Sequence, residues 1–142
     1  MNKQVPASSL INIVKEAAKQ LNGAPFTVRS KKTGKDYTFK IKQSEYNGKH
    51  YVHAYVETEY MNFVHLGFYD GRGGLVKKGS KVASPSDTAI AWILEKVYAK
   101  ATQVLENNLE VFHLGNCMVC GKKLTDANSI ERGIGPKCLS GA

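Results

Sequence analysis

Four residues in the last third of this 142-residue chain could act together in chemistry: His113, Cys117, Cys120 and Cys138. Cys117 and Cys120 are separated by two residues and followed by Gly121. That spacing lets two thiolates reach one ion, and the glycine permits the tight turn that aims backbone N–H groups at sulfur. A structural zinc ion takes four nitrogen or sulfur ligands in a tetrahedron. Cys138, presented by the rigid turn Gly133-Ile-Gly-Pro136, is the expected third ligand. His113, four residues before Cys117, is the expected fourth. His50, His53 and His65 are the other imidazoles, and His53 and His65 fall in expected strands, where a lone histidine is usually a packed or surface residue.

Other uses of these residues fit less well. Three cysteines make an odd number, which does not suit a disulfide framework. A thioredoxin-like Cys-x-x-Cys opens a helix after a strand and has no third cysteine, whereas here Gly121 follows and Cys138 recurs. A catalytic zinc would keep a water position and need a base, and no paired Glu or His lies near the tail. Gly133-Ile-Gly135-Pro136 is no dinucleotide fingerprint, because no strand and helix flank it.

The elements that must position these residues are readable from periodicity. Residues 8–22 are expected to form a helix, capped by Ser8 or Ser9, with Leu10, Ile13, Val14, Ala17, Ala18 and Leu21 on one stripe and Asn22-Gly23 as its stop. Strands follow. Phe26–Arg29 is short and extended, and Lys31–Lys35 reads as a turn. Tyr37, Phe39 and Ile41 alternate with Thr38, Lys40 and Lys42. Asn47-Gly48 suits a type I′ hairpin turn. His50–Thr58 and Asn62–Tyr69 complete an antiparallel meander of three or four strands. Asp70–Gly74 is a glycine-rich turn with no Walker-type Lys-Ser/Thr after it. A second, long helix starts at Ser84-Pro85-Ser86-Asp87, with Ser84 as N-cap, Pro85 in the first turn and Asp87 as the capping-box carboxylate. Its apolar face runs from Ile90 through Ile93, Leu94, Val97, Ala101 and Val104 to Leu105, and Asn107-Asn108 ends it. The expected fold is therefore α+β: an N-terminal helix, an antiparallel meander, a long helix and a C-terminal zinc knuckle. The expected division is a body, residues 1–110, and a zinc-binding tail, residues 111–142.

Composition narrows the partners. No run of about 18 apolar residues exists to cross a membrane, and the N-terminus lacks the apolar core of a secretory signal. Cytoplasmic location is the expectation, that of the host cell if the protein is phage-encoded. The formal net charge is +8, and residues 24–84 hold 11 basic against 5 acidic side chains. A basic middle region suits a polyanion, although a lysine-rich solvated surface would give the same count.

The tail carries a resemblance. Cys117-x-x-Cys-Gly-Lys-x-Leu-Thr125, followed by Ser129-Ile-x-x-Gly-Ile-Gly-Pro-x-Cys138, resembles an uncharacterised zinc-knuckle family of bacteriophage and prophage proteins. The family's His-x-Gly-x-Cys segment is matched by His113-Leu-Gly-Asn-Cys117. Its usual Arg after Cys-Gly is Lys122 here, and its common Pro after Leu-Thr-x is Ala127; neither change removes a ligand. Thr33–Phe39 and His65-Leu-Gly67 resemble the strand-rich region that precedes this tail in such proteins. The resemblance implies zinc and a phage origin, and brings no activity with it.

Two functions follow as expectations. One is a nucleic-acid-binding accessory protein, with Arg29, Lys31, Lys32, Lys35, Lys40 and Lys42 on phosphates and Tyr37, Tyr51, Tyr55 and Phe63 available to stack bases, about half of them buried. The other is an inhibitor that binds a host or defence protein. No nucleophile–base arrangement, phosphate loop or carboxylate pair points to an enzyme.

Overall fold

The computed structural model describes residues 3–20, 25–46, 48–58, 62–69, 75–76 and 85–135. Its centre is one seven-stranded sheet: β1 (Lys3–Val5), β2 (Phe26–Ser30), β3 (Asp36–Tyr46), β4 (Lys49–Glu57), β5 (Phe63–Tyr69), β6 (Leu75–Val76) and β7 (Leu109–His113). Their order across the sheet is β1-β7-β2-β3-β4-β5-β6, and every neighbouring pair is antiparallel. The helices are α1 (Ser9–Gln20), α2 (Pro85–Tyr98), α3 (Thr102–Asn108) and α4 (Ala127–Arg132). The α+β class and the meander are as the alternation predicts, with β2 to β6 paired in chain order.

The hairpin between β3 and β4 follows from its turn. Tyr46 pairs with Lys49, and Gly48 takes φ 76°, the left-handed conformation that glycine adopts at little cost; Asn47 lies outside the described residues. The turn at Lys31–Lys35 closes with Ser30 N–H on the Lys35 carbonyl and Gly34 N–H on the Ser30 carbonyl. The Asp70–Gly74 turn, Ser84 and the Asn22-Gly23 stop lie outside the described residues, as does the Asp87 side chain.

Two features depart from expectation. The single long helix is broken into α2 and α3. Lys100 sits between them with φ 54°, donating its N–H to the Val97 carbonyl while Ala101 N–H reaches the Lys96 carbonyl. This pair of bonds is a Schellman closure, with lysine at the left-handed position where glycine is usual. The break leaves Leu105 fully buried and Val104 39% exposed, so the apolar stripe does not run on unbroken. The second departure is β7. The expected boundary after residue 110 falls inside this strand, which lies between β1 and β2 with Leu109, Val111 and His113 buried.

The core lies on one face of the sheet. Leu10, Ile13 and Val14 of α1, Ile90, Ile93, Leu94 and Val97 of α2 and Leu105 of α3 pack with Phe26, Val28, Phe39, Ile41, Val52 and Ala54 of the strands. Cys117, Met118, Val119, Leu124 and Ile134 belong to the same cluster, so the described part of the tail shares the core of the body. Ser8 adds a polar tie: its N–H and Oγ–H both donate to Glu106 Oε1, at 3.3 and 2.6 Å, joining the start of α1 to α3.

The helix closures make a pair of opposite predictions. Gly133 closes α4 with φ 73°, and a Cβ built there would meet Met118 Sδ at 2.9 Å. Gly133→Ala should lower the unfolding free energy by about 1–3 kcal/mol. Lys100→Gly should raise it by about 1 kcal/mol, since the left-handed conformation then costs little. Urea unfolding of the two variants beside the parent chain measures both, and the same sign for both would refute this account of the two turns.

Candidate metal centre and nucleic-acid interface

The tail after β7 folds back on itself. Asn116 bridges Lys123, Cys117 N–H reaches the Lys122 carbonyl at 2.7 Å, and Leu124 N–H reaches the Gly115 carbonyl at 3.0 Å. Gly121, with φ 84°, donates to the Cys117 carbonyl and turns the chain. Asp126 then caps α4, its carboxylate accepting from Ser129 N–H at 3.0 Å. The sequence holds the signals for this helix, Asp126 before it and Gly133 behind it, but six residues are too few to show a period.

Cys117 is fully buried and Cys120 half-buried. Burial pushes the Cys117 thiol up. Hydrogen bonds from the backbone of Cys120, Gly135 and Val119, and from the Cys120 side chain, outweigh it and hold the thiol below its ordinary range. The Gly135 N–H lies 3.3 Å from Cys117 Sγ. A cradle of N–H donors around a buried sulfur favours thiolate, the form that ligates metal. It also brings Gly135 against the Cys-x-x-Cys hairpin. Cys138 itself lies outside the described residues.

His113 is 1% exposed, and both its ring nitrogens are engaged. Nε2 lies 2.7 Å from the Ile130 carbonyl oxygen, and Gly115 N–H donates to Nδ1 at 3.0 Å. A carbonyl can only accept, so Nε2 carries the proton and Nδ1 holds the lone pair. An imidazole that ligates a metal ordinarily donates its other N–H to a carbonyl or carboxylate, and His113 already makes that bond. Ligation through Nδ1 requires it to exchange the Gly115 N–H for the ion. Among the described residues no group of three or more His, Cys, Asp or Glu side chains gathers around one point.

The opposite face of the sheet gathers the basic strand residues. Lys40 pairs with Tyr55 and Lys42 with His53 across β3 and β4. Lys40 Nζ lies 4.1 Å from the centre of the Phe63 ring and Lys42 Nζ 5.7 Å from that of Tyr55. Rings run on from Tyr55 to His65, His53, Phe68 and Tyr51, with successive centroids 5.0 to 5.6 Å apart. His53 Nδ1 and His65 Nε2 are 3.0 Å apart. Burial pushes His53 below the ordinary imidazole range, and His65 adds to the effect.

Within β3 alone, lysines and aromatics point to opposite faces. The mixed surface is assembled across strands instead. A bulge between Ala54 and Tyr55 makes it possible: Ala54 pairs with Gly67 and Tyr55 with His65, leaving Leu66 over. His65 and Phe68, three positions apart, thereby share a face. His53, His65 and Phe68 are not among the residues expected to touch a ligand. The alternation of Tyr51, His53 and Tyr55 places His53 in line, but no residue type announces the bulge.

The other residues expected at the interface divide. Arg29 is on the same face but is held by Asp36 through bonds of 2.7 and 3.2 Å, over the Phe112 ring. That pairing raises the Arg29 pKa and lowers that of Asp36. Lys31 donates to the Glu106 carbonyl at 2.8 Å. Lys32 and Lys35 are exposed in the β2–β3 turn. Tyr37 instead packs beside Phe39 against the core.

No helix among the described residues is long and apolar enough to cross a membrane. No curated protein and no solved structure matches the chain. Residues 108–142 match the model of a family of unknown function, DUF6011, and this similarity begins at the end of α3 and takes in β7, the Cys-x-x-Cys hairpin and α4.

Proposed function

We propose that this chain is a small zinc-binding accessory protein, of the bacteriophage type its tail resembles, that contacts nucleic acid through the open face of its sheet. It acts by binding and not by catalysis. The observation that carries the nucleic-acid reading is the cross-strand register, which sets Lys40 and Lys42 beside the rings of β4 and β5 on the face away from the helices. A net charge of +8 supports it. Arg29, neutralised by Asp36, and Lys31, spent on a helix carbonyl, contribute less to that interaction than Lys40 and Lys42.

For the metal, Cys117 and Cys120 are the supported pair: a built N–H cradle favours thiolate at Cys117, and Cys120 lies across the same tight turn. Cys138 is three residues beyond Gly135, and three residues span at most about 11 Å, so a third thiolate is within reach of the chain. His113 is the fourth ligand, through Nδ1, with Ile130 orienting the ring. Zinc in such a site supplies folding energy to the tail and no reaction.

Freshly purified, reduced protein should carry about one zinc per chain by metal analysis. Cys120→Ser and His113→Asn should each lose it to a chelator that leaves the parent loaded. If only the cysteine variant does so, His113 is a packing residue. With β7 bonded on both sides, loss of zinc should open amides from about residue 114 onward to hydrogen exchange while β7 stays protected; exchange throughout the sheet would mean that metal and sheet are one unit.

Labelled oligonucleotide should bind with micromolar-range affinity at low salt and largely release at higher salt. Lys40→Glu with Lys42→Glu should flatten the slope of log affinity against log salt by roughly 0.7–0.9 for each phosphate no longer neutralised. Unchanged anisotropy curves in the double variant, or no binding by the parent chain, would favour a host or defence protein as the partner.

A further inference from the structure

Five rings on β4 and β5 form an unbroken row on the face away from the described helices, from Tyr51 through Phe68, His53 and His65 to Tyr55. Each is half-buried. Rings on a solvent-facing sheet often serve only as cross-strand pairs. Here, though, the row holds two imidazoles and two phenols, and cations flank it: Lys40 stands over Phe63 and Lys42 over Tyr55. Sequestering apolar surface does not require that composition. A polyanion whose flat groups can be laid on rings does match it.

Geometry separates the forms of nucleic acid. Bases in a duplex are stacked on one another, so they offer their edges in the grooves and their phosphates outside. Against a duplex a sheet face reaches phosphates through its lysines, while its rings find no exposed base faces to stack on. In a single strand the bases can be splayed out and stacked on aromatic side chains. From Tyr51 to Tyr55 the row extends about 14 Å along the strand, enough for a few nucleotides, with the lysines of β3 alongside for the backbone.

We propose that this face takes unpaired nucleic acid, its bases stacked on the row from Tyr51 to Tyr55 and its phosphates along Lys40 and Lys42. The inference rests on the nucleic-acid reading above and goes further in naming single strands and base stacking.

The test uses the full, zinc-loaded chain at low salt and three labelled probes of about twelve nucleotides: a single strand, an abasic strand of the same charge, and a blunt duplex. Stacking is worth about 1–3 kcal/mol per base, so the base-bearing strand should bind at least about tenfold more tightly than the abasic one. It should also bind more tightly than the duplex. Tyr55→Leu, checked for an unchanged melt, should shrink the ratio of base-bearing to abasic affinity. Tyr51→Leu, at the far end of the row, does the same work if the first variant does not fold. Equal binding of abasic and base-bearing strands would overturn stacking and leave a purely electrostatic interaction standing. Tighter binding of the duplex would overturn the single-strand assignment. Binding of none of the three would remove the nucleic-acid reading as well.

Discussion

The hydrogen-bond ladders on both sides of β7 hold the molecule together. Val111 pairs with Val5 on one side and with Val28 on the other, and His113 lies between Lys3 and Phe26. A strand so placed has its backbone groups satisfied by two neighbours, and its inward side chains enter the core of the body. The hairpin that follows therefore starts from a fixed point. Gly133 strengthens the anchorage: a Cβ built there would meet Met118 at 2.9 Å and His113 and Val5 at 3.3 Å, and its carbonyl accepts from Met118 N–H at 2.8 Å. A short segment is thus held both by the sheet it follows and by its own Met118, Val119, Leu124 and Ile134 in the shared core.

The two faces of that sheet divide the labour. The covered face is aliphatic and aromatic in the ordinary way, with Phe26 against Phe39 and helices laid over both. The open face carries hydroxyl pairs such as Thr27 with Thr38, the Arg29–Asp36 ion pair, and then the rings and lysines of β3 to β5. Polarity thus changes along the open face as well as through the sheet. The β2 end is internally paired and electrically quiet, and the β4 end keeps its cations over rings. Exposed ion pairs of the Arg29–Asp36 kind add little to stability. Their effect here is chiefly to cancel charge where a polyanion would otherwise be drawn.

Much of the fold is readable in the residues, and the failures have physical causes. Strands β3 and β4 show clean alternation, and Gly48 sits in a turn that few other residues tolerate, so the meander is legible. Strand β7 alternates too, at Leu109, Val111 and His113. It is short, though, follows directly on a helix end, and ends in a histidine that the cysteine spacing claims for the tail. The α2–α3 break carries no glycine or proline; tertiary packing sets Lys100 in a conformation its own preference opposes. The pairing that forms the open face depends on one surplus residue, Leu66, and register of that kind is fixed by partners distant in sequence. At the candidate site the cysteine cradle is legible from Gly121, whereas the hydrogen bonds of His113 to Gly115 and Ile130 are not. They depend on where α4 lies.

The position of β7 in the sheet also orders events in time. When the ribosome has delivered the meander, the β2 edge of the sheet has no neighbour on its outer side, and Phe26 and Val28 have only part of their cover. The strand that completes that edge comes after α2 and α3, and β1, which precedes the other described elements in the chain, can join only when β7 is there to receive it. A nascent or truncated chain ending before Leu109 would present a bare, apolar strand edge, the kind that pairs with whatever strand it meets. Closure then runs from Val5 to Val111, a long-range pairing that folds slowly because the loop must close before its contacts form. The same strand that gives the finished molecule its anchorage makes the unfinished one prone to aggregate.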